Sequence, residues 1–245
     1  MNAVEVQGVH TQLAGKIVHD GVSLGVPRGK IAALIGGSGS GKSVLLRVII
    51  GLQRPAAGTI HVLGTDVWSA RESELNALRR RFGVMFQDGA LFSSLTVAQN
   101  VATPLREHSH VPAWLLEPLV RQRLALAGLP AEAAARMPSE LSGGMRKRAA
   151  MARALALEPE VLFLDEPTSG LDPVTARGFD QRLRFLCDEL GLTVLLVTHD
   201  LDTLRGIVDR VIVLAAGKVI AEGSVDDVQH TDDSWLHTYF HGHGT

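Results

Sequence analysis

The strand-like run Ile31-Ala32-Ala33-Leu34-Ile35 passes directly into Gly36-Gly37-Ser38-Gly39-Ser40-Gly41-Lys42-Ser43, and a helical stretch over residues 43–51 follows at once. Five consecutive apolar residues mark a strand buried on both faces. The octet matches G-x-x-x-x-G-K-[ST], in the strand–loop–helix setting that pattern requires. Glycines let the backbone wrap so that successive N–H groups converge on phosphate oxygens. A helix that starts near Lys42 adds the positive end of its dipole. Lys42 is placed to reach β- and γ-phosphates, and the Ser43 hydroxyl to ligate Mg²⁺. The plain alternative, a glycine-rich turn with no ligand, leaves the lysine, the serine and the flanking elements as coincidences.

Working outward, more strand signals flank this unit. Residues 4–6 with Val9, then 58–63 and 82–86, read as short strands, with Gly64-Thr65-Asp66 as a turn. Residues 161–164 and 193–197 are two further buried runs. Between them lies a helix with Asp172 as N-cap, Pro173 as first helical residue and Gly191 as its stop. Its apolar positions Phe179, Leu183, Leu186 and Leu190 keep helical spacing. Residues 211–222 read as a late hairpin. Residues 90–156 read as mostly helix, punctuated by Pro104, Pro112, Pro118, Pro130 and Pro138. Buried strands alternating with helices give an α/β fold with a largely parallel sheet, into which the proline-punctuated helical block is inserted.

The composition sets bounds. Apolar residues make up 46% and charged residues 20% of the 245, which excludes a disordered chain, a collagen-like fibre and a disulfide scaffold. The formal net charge of −2 supplies no overall field for nucleic acid or anionic lipid. The single cysteine, Cys187, cannot form an internal disulfide, which fits a reducing compartment. The first sixteen residues lack a basic segment followed by an apolar stretch, so no signal peptide is expected. No apolar run reaches the roughly 18 residues of a membrane span, so work at a membrane would require docking onto another chain.

The run Val161-Leu162-Phe163-Leu164-Asp165-Glu166 is an apolar strand ending in two acids. Downstream of a phosphate loop, Asp165 is expected to hold Mg²⁺ through water and Glu166 to polarise the attacking water. An ordinary buried strand with an acidic turn is the competing reading.

With Leu141-Ser142-Gly143-Gly144-Met145 on the page, the sequence resembles one family closely: the nucleotide-binding subunits of ABC transporters. The resemblance covers essentially the whole chain. It implies a P-loop NTPase core with an antiparallel β sub-domain and an inserted helical sub-domain at about residues 90–156. Residues from about 223 to 245 form a C-terminal extension. It implies ATP and Mg²⁺ as ligands and an ATP-sandwich dimer. Ser142, Gly143 and Gly144, opening a helix from Met145 onward, would contact the γ-phosphate of the ATP held by a second copy. Met145 stands where the family usually has glutamine. Gln87 takes the position of the glutamine that senses Mg²⁺ and the γ-phosphate. Ser169-Gly170-Leu171-Asp172 takes the place where the two subunits meet, so Asp172 serves as helix cap and cross-dimer contact. His199 matches the histidine that hydrogen-bonds the γ-phosphate.

A narrower likeness follows from Ala90-Leu91-Phe92-Ser93-Ser94-Leu95-Thr96-Val97, from Asn100-Val101-Ala102-Thr103-Pro104-Leu105-Arg106-Glu107-His108, and from Gly144-Met145-Arg146-Lys147-Arg148-Ala149-Ala150. With the C-terminal Asp233-Ser234-Trp235-Leu236, these are similar to the ATPases of Mla- and Mce-type lipid transporters. That likeness implies lipid movement between inner membrane and outer envelope. Its partners would be a multispanning permease, an MCE-domain substrate-binding subunit and a STAS-domain protein, with no nucleic acid. Its location would be peripheral, on the cytoplasmic face of the inner membrane. An importer ATPase for another solute shares the same chemistry. A soluble ABC ATPase acting on DNA or ribosomes fits a compact single domain of net charge −2 less well.

One departure stands out. The family places an aromatic ring near position 13 to stack on adenine, and here the residue is Leu13, with His10 and His19 nearby as other candidates for the base. The basic runs Arg79-Arg80-Arg81 and Arg146-Lys147-Arg148 are expected on solvated helix surfaces. His237, His241 and His243 are expected in a flexible tail and not a metal tract. Trp235, Tyr239 and Phe240 fit either an apolar cap or a docking surface.

Overall fold

The run Ile31–Ile35 forms β3, and every one of its residues is buried. In this computed structural model, which describes residues 1–241, β3 lies inside a six-stranded sheet of order β10-β9-β3-β8-β7-β6. Its other members are β6 (Phe82–Met85), β7 (Val161–Asp165), β8 (Thr193–Val197), β9 (Arg210–Ala215) and β10 (Lys218–Gly223). All neighbours pair in parallel except β9 and β10, the late hairpin. A second, antiparallel sheet has the order β2-β1-β4-β5, from β1 (Asn2–Leu13), β2 (Lys16–Pro27), β4 (Ala57–Val62) and β5 (Thr65–Asp66).

The period of two along a strand divides the interior into two cores. Ile31, Ala33 and Ile35, with Leu162, Leu164, Val194 and Leu196, face one cluster. Ala32 and Leu34, with Phe163, Leu195 and Val197, face the other. The first cluster is covered by α3 (Val97–His108), α4 (Ala113–Leu126), α5 (Gly143–Ala154) and α6 (Pro173–Leu190). The second is closed by α1 (Lys42–Ile49) and the antiparallel sheet, through Leu45, Leu46, Val4, Val6, Val22 and Leu24 among others. Burial on both faces accounts for the continuous apolar runs of β3, β7 and β8. The remaining helices are α2 (Glu72–Arg79), α7 (Leu201–Ile207), α8 (Val225–Gln229) and α9 (Ser234–His241).

Several sequence expectations meet the structure directly. Asp172 accepts from the backbone N–H groups of Val174 and Thr175, Pro173 opens α6, and Gly191 caps it in the left-handed region. Others need correction. Strand β2 carries no signal in the sequence reading, because its apolar alternation is confined to Val22, Leu24 and Val26 and its other face holds Gly21 and Gly25, a residue type depleted in strands. Pro104 and Pro118 do not separate elements; they sit inside α3 and α4. The two residues of β5 pair with β4 where a simple turn is expected.

The basic run at 79–81 is only in part a solvated helix end. Arg79 pairs with Glu72, but Arg81 donates to Glu160 at 2.6 Å, at the start of β7. At the C-terminus, Leu236 and Phe240 are buried in the first core, and Trp235 stacks on Tyr239 with ring centroids 4.9 Å apart. These aromatic residues therefore form an apolar cap. His237 and His241 lie on α9, whereas His243 lies outside the described residues.

Candidate nucleotide site

The loop between β3 and α1 is shaped by two close approaches. A Cβ on Gly36 would stand 2.1 Å from the Leu214 carbonyl oxygen of β9, and one on Gly41 would stand 2.7 Å from His19 Nε2. Both glycines have positive φ, 152° and 99°, so no side chain fits on either count. Gly41 is the N-cap of α1; it offers no side-chain cap, and no acid occupies the first turn. The helix therefore presents uncapped N–H groups and a positive end with no acid of its own first turn against it. A cleft of about 670 Å³ opens in front of this loop, lined by Gly36, Ser38, Gly39, Gly41, Lys42 and Ser43, with Glu166 and His199 opposite.

Within the cleft, Lys42 Nζ donates to the carbonyl oxygens of Gly36 at 2.8 Å and Gly37 at 2.9 Å. Desolvation pulls its pKa down, while Glu166 and Asp165 pull it back up. The Ser43 hydroxyl donates to Asp165 Oδ1 at 3.0 Å. Asp165 is buried, and desolvation pushes its carboxyl above the usual range despite the Ser43 hydrogen bond. Ser43 and Asp165 thus offer two oxygens of the kind a hard divalent cation takes. Glu166 Oε1 lies 3.1 Å from His199 Nδ1. The Glu166 backbone is left-handed, φ 48°, an uncommon state for a residue with a Cβ. Its N–H donates to the Val197 carbonyl of β8.

Leu13 and Val18 close one end of this cleft. His19 does not offer a stacking face: it is fully buried, and its Nε2 lies 3.1 Å from the Gly41 carbonyl behind the loop. His10 pairs with Asp20 instead. Of the three positions expected near a base, Leu13, 39% exposed, is the one that lines the cleft.

The other expected residues gather elsewhere. Gln87 and Gly143 line a second cleft of about 340 Å³ with Asp88, Lys147, Ser169 and Gly170. Ser142 caps α5, accepting from Met145 N–H. A Cβ on Gly144 would stand 2.5 Å from Thr175 Cγ2 of α6. Neither Gln87 nor Ser142, Gly143 or Gly144 lines the phosphate-loop cleft of the same chain. Asp172 is held at the start of α6 by its own capping bonds.

One residue of this second cleft eluded the sequence reading. Lys147 is only 8% exposed, not on a solvated face. Its Nζ donates to the carbonyl oxygens of Gln87 and Glu166 and to Ser169 Oγ. The signal was its spacing. Lys147, Ala150, Met151 and Ala154 fall at i, i+3, i+4 and i+7, the buried stripe of α5.

The ABC transporter family model matches residues 19–169. The intermembrane phospholipid transport ATP-binding protein MlaF of Escherichia coli is 42% identical over 241 residues, covering 98% of this chain and 89% of that protein. MlaF of Haemophilus influenzae is 40% identical, covering 95% of this chain and 88% of that protein. A Mycobacterium bovis protein described as a probable ribonucleotide transport ATP-binding protein is 38% identical, with 98% and 67% covered. Among solved structures, a dimeric ATP-binding cassette in a post-hydrolysis state with ADP and Pi superposes with a TM-score of 0.82 at 32% identity. That match covers 90% of this chain and 98% of that one.

Proposed function

The chain belongs to the ABC transporter family of ATP-binding proteins, and from that premise we propose that it energises a transporter moving phospholipid or a related lipid between inner membrane and outer envelope. The observation that carries this reading is the 42% identity to a phospholipid-transport ATPase along 98% of the chain.

In this reading the backbone N–H groups of Gly36, Gly37, Ser38, Gly39, Ser40 and Gly41 cradle the phosphates of ATP. Lys42 exchanges its own loop carbonyls for β- and γ-phosphate oxygens. Ser43 and, through water, Asp165 would hold Mg²⁺, with Gln87 as a further ligand, and the ion would supply neutralisation of phosphate charge. Glu166 orients the attacking water and accepts its proton, while His199 fixes the carboxylate and reaches the γ-phosphate. Two copies sandwich two nucleotides, with Ser142, Gly143 and Gly144 of each facing the phosphate loop of the other. Asp172 lies at the seam. This explains why one chain separates its two clefts: each full site draws on both copies.

Among the described residues no helix is long and apolar enough to cross a membrane. Work at the cytoplasmic face of the inner membrane then depends on a multispanning permease, with an MCE-domain subunit and a STAS-domain protein completing the assembly. The helical sub-domain at about 90–156 is the unit that moves against the core, and residues from about 223 form the C-terminal extension. The likeness to a ribonucleotide transport protein keeps a second reading in view, in which the same ATPase drives import of another solute.

Tagging the chain in its native host and extracting the permease complex tests the assignment. Phospholipid co-purifying with the complex, and exchanged between vesicles only with Mg-ATP, is the expected result. Nucleotide-driven movement of a water-soluble solute without lipid exchange would overturn it.

A further inference from the structure

Lys147 carries three N–H donors and meets three acceptors: the Gln87 carbonyl, the Glu166 carbonyl at 3.0 Å and Ser169 Oγ at 3.2 Å. Ser169 Oγ in turn donates to the Glu166 carbonyl at 3.0 Å, and Ser169 N–H donates to the same oxygen at 3.2 Å. The Glu166 carbonyl is therefore the meeting point of three donors. It belongs to a residue with φ 48°, a strained conformation that persists only where its surroundings over-determine it. The same residue carries the carboxylate that faces His199.

We propose that Lys147 is the positioning residue for Glu166. Its ammonium ties the strained turn after β7, which carries both Glu166 and Ser169, to the Gln87 loop, and so aims the Glu166 carboxylate at the phosphate-loop cleft. The proposal rests on Glu166 being the group that orients water.

The chemistry suits an ammonium. Its three donors point tetrahedrally, whereas a guanidinium presents a planar fork. A buried cation is costly unless its donors are all used, and here the three are satisfied by carbonyl and hydroxyl oxygens. Asp88, Glu166 and Asp165 supply the opposing charge nearby, although desolvation still pulls the Lys147 pKa below its usual value. Lys147 also stands on α5, whose N-terminus presents Ser142 and Gly143. Any movement of α5 relative to the parallel sheet thus pulls on Glu166 through one side chain. A docked second copy pressing on the Ser169 loop acts on the same oxygen.

The test compares Lys147→Met, Lys147→Gln and Glu166→Gln in the full-length chain. Nucleotide Kd, kcat, KM and thermal midpoint are measured for each. Lys147→Met keeps the apolar stem and removes the donors; it should lower kcat tenfold or more while Kd for Mg-ATP stays within threefold. Lys147→Gln, with two donors, should recover part of that loss. In single-turnover assays, adding Lys147→Met to Glu166→Gln should change the residual rate by less than twofold, because the group being positioned is already gone. If Lys147→Met and Lys147→Gln both turn over at the wild-type rate while Glu166→Gln does not, the positioning role is wrong and the reading of Glu166 stands. If kcat and binding fall together, with no recovery by glutamine, Lys147 is merely structural and the proposal fails. Wild-type turnover by Glu166→Gln overturns the reading of Glu166 and the inference with it.

Discussion

The two clefts are built from the same kinds of parts and are left in opposite conditions. At the phosphate loop, α1 begins without a cap, and Lys42 is bonded to two carbonyls of its own loop, partners it can exchange for phosphate. At the second cleft, α5 begins with a capped turn, and Lys147 is spent on three protein acceptors, one in the Gln87 loop and two in the loop after β7. One arrangement is ready to bind an anion by itself. The other organises neighbouring loops and, in the proposed dimer, gains a ligand only when another copy supplies one. The lesson is that a helix N-terminus beside a lysine is not by itself an anion site; what matters is which donors are already committed.

The largest effect that follows is at the first cleft. Lys42→Ala should weaken Mg-ATP binding by at least a hundredfold, about 3 kcal/mol or more, because among the described residues no other lysine or arginine lines that cleft. Titration with a labelled nucleotide measures it, and binding within tenfold of wild type would break the contrast between the clefts. At the second cleft, Ser142→Ala removes the α5 cap and the hydroxyl that the proposed dimer would use. Stability should fall by about 1 kcal/mol and turnover by about tenfold, with nucleotide binding by the single chain unchanged. A matching loss of affinity in the isolated chain would show that the two clefts are not separate.

Asp180 of α6 lines neither cleft and provides a control. Desolvation pushes its carboxyl up to about 6, with Thr203 opposing and Asp200 and Asp202 adding to the rise. Its Oδ2 accepts from Thr203 Oγ1, while Oδ1 has no partner among the described residues. A carboxyl raised in the folded state favours folding at low pH, and that contribution is lost as the pH climbs from about 4 through about 6. Asp180→Asn should therefore raise stability at pH 8 by about 2–3 kcal/mol and have little effect at pH 4, with nucleotide affinity unaltered. Denaturant unfolding at the two pH values measures it; an equal effect at both would contradict the assignment.

The smallest expected effect concerns the base. Leu13 offers only apolar contact, and phosphate contacts do not distinguish bases. ATP and GTP should then compete within about tenfold, roughly 1.4 kcal/mol. Leu13→Tyr should tighten ATP binding by a similar factor through stacking. A hundredfold wild-type preference for ATP would mean that another residue reads the base.

Legibility in the sequence followed burial and local chemistry. Strand β3, its loop and α1 were readable because a strand buried on both faces leaves a continuous apolar run, and because phosphate chemistry restricts residue types at fixed spacing. Helix α6 was readable to its ends through Asp172, Pro173 and Gly191. Strand β2 was not, since its apolar alternation covers only Val22, Leu24 and Val26, two glycines lower its strand propensity, and its register is set by β1 across a hairpin. Lys147 was misread because a charge run suggests solvent, and only the buried stripe of α5 shows which of three basic residues turns inward. His19 was misplaced for a related reason: its neighbour in space is Gly41, 22 positions along the chain.

Sedimentation of the pure Glu166→Gln chain, with and without Mg-ATP, tests most directly that one chain holds only half of each working site. The separation of the two clefts calls for a monomer in nucleotide-free buffer and a dimer once Mg-ATP is added. A stable dimer without nucleotide, or a monomer at saturating Mg-ATP, would contradict it.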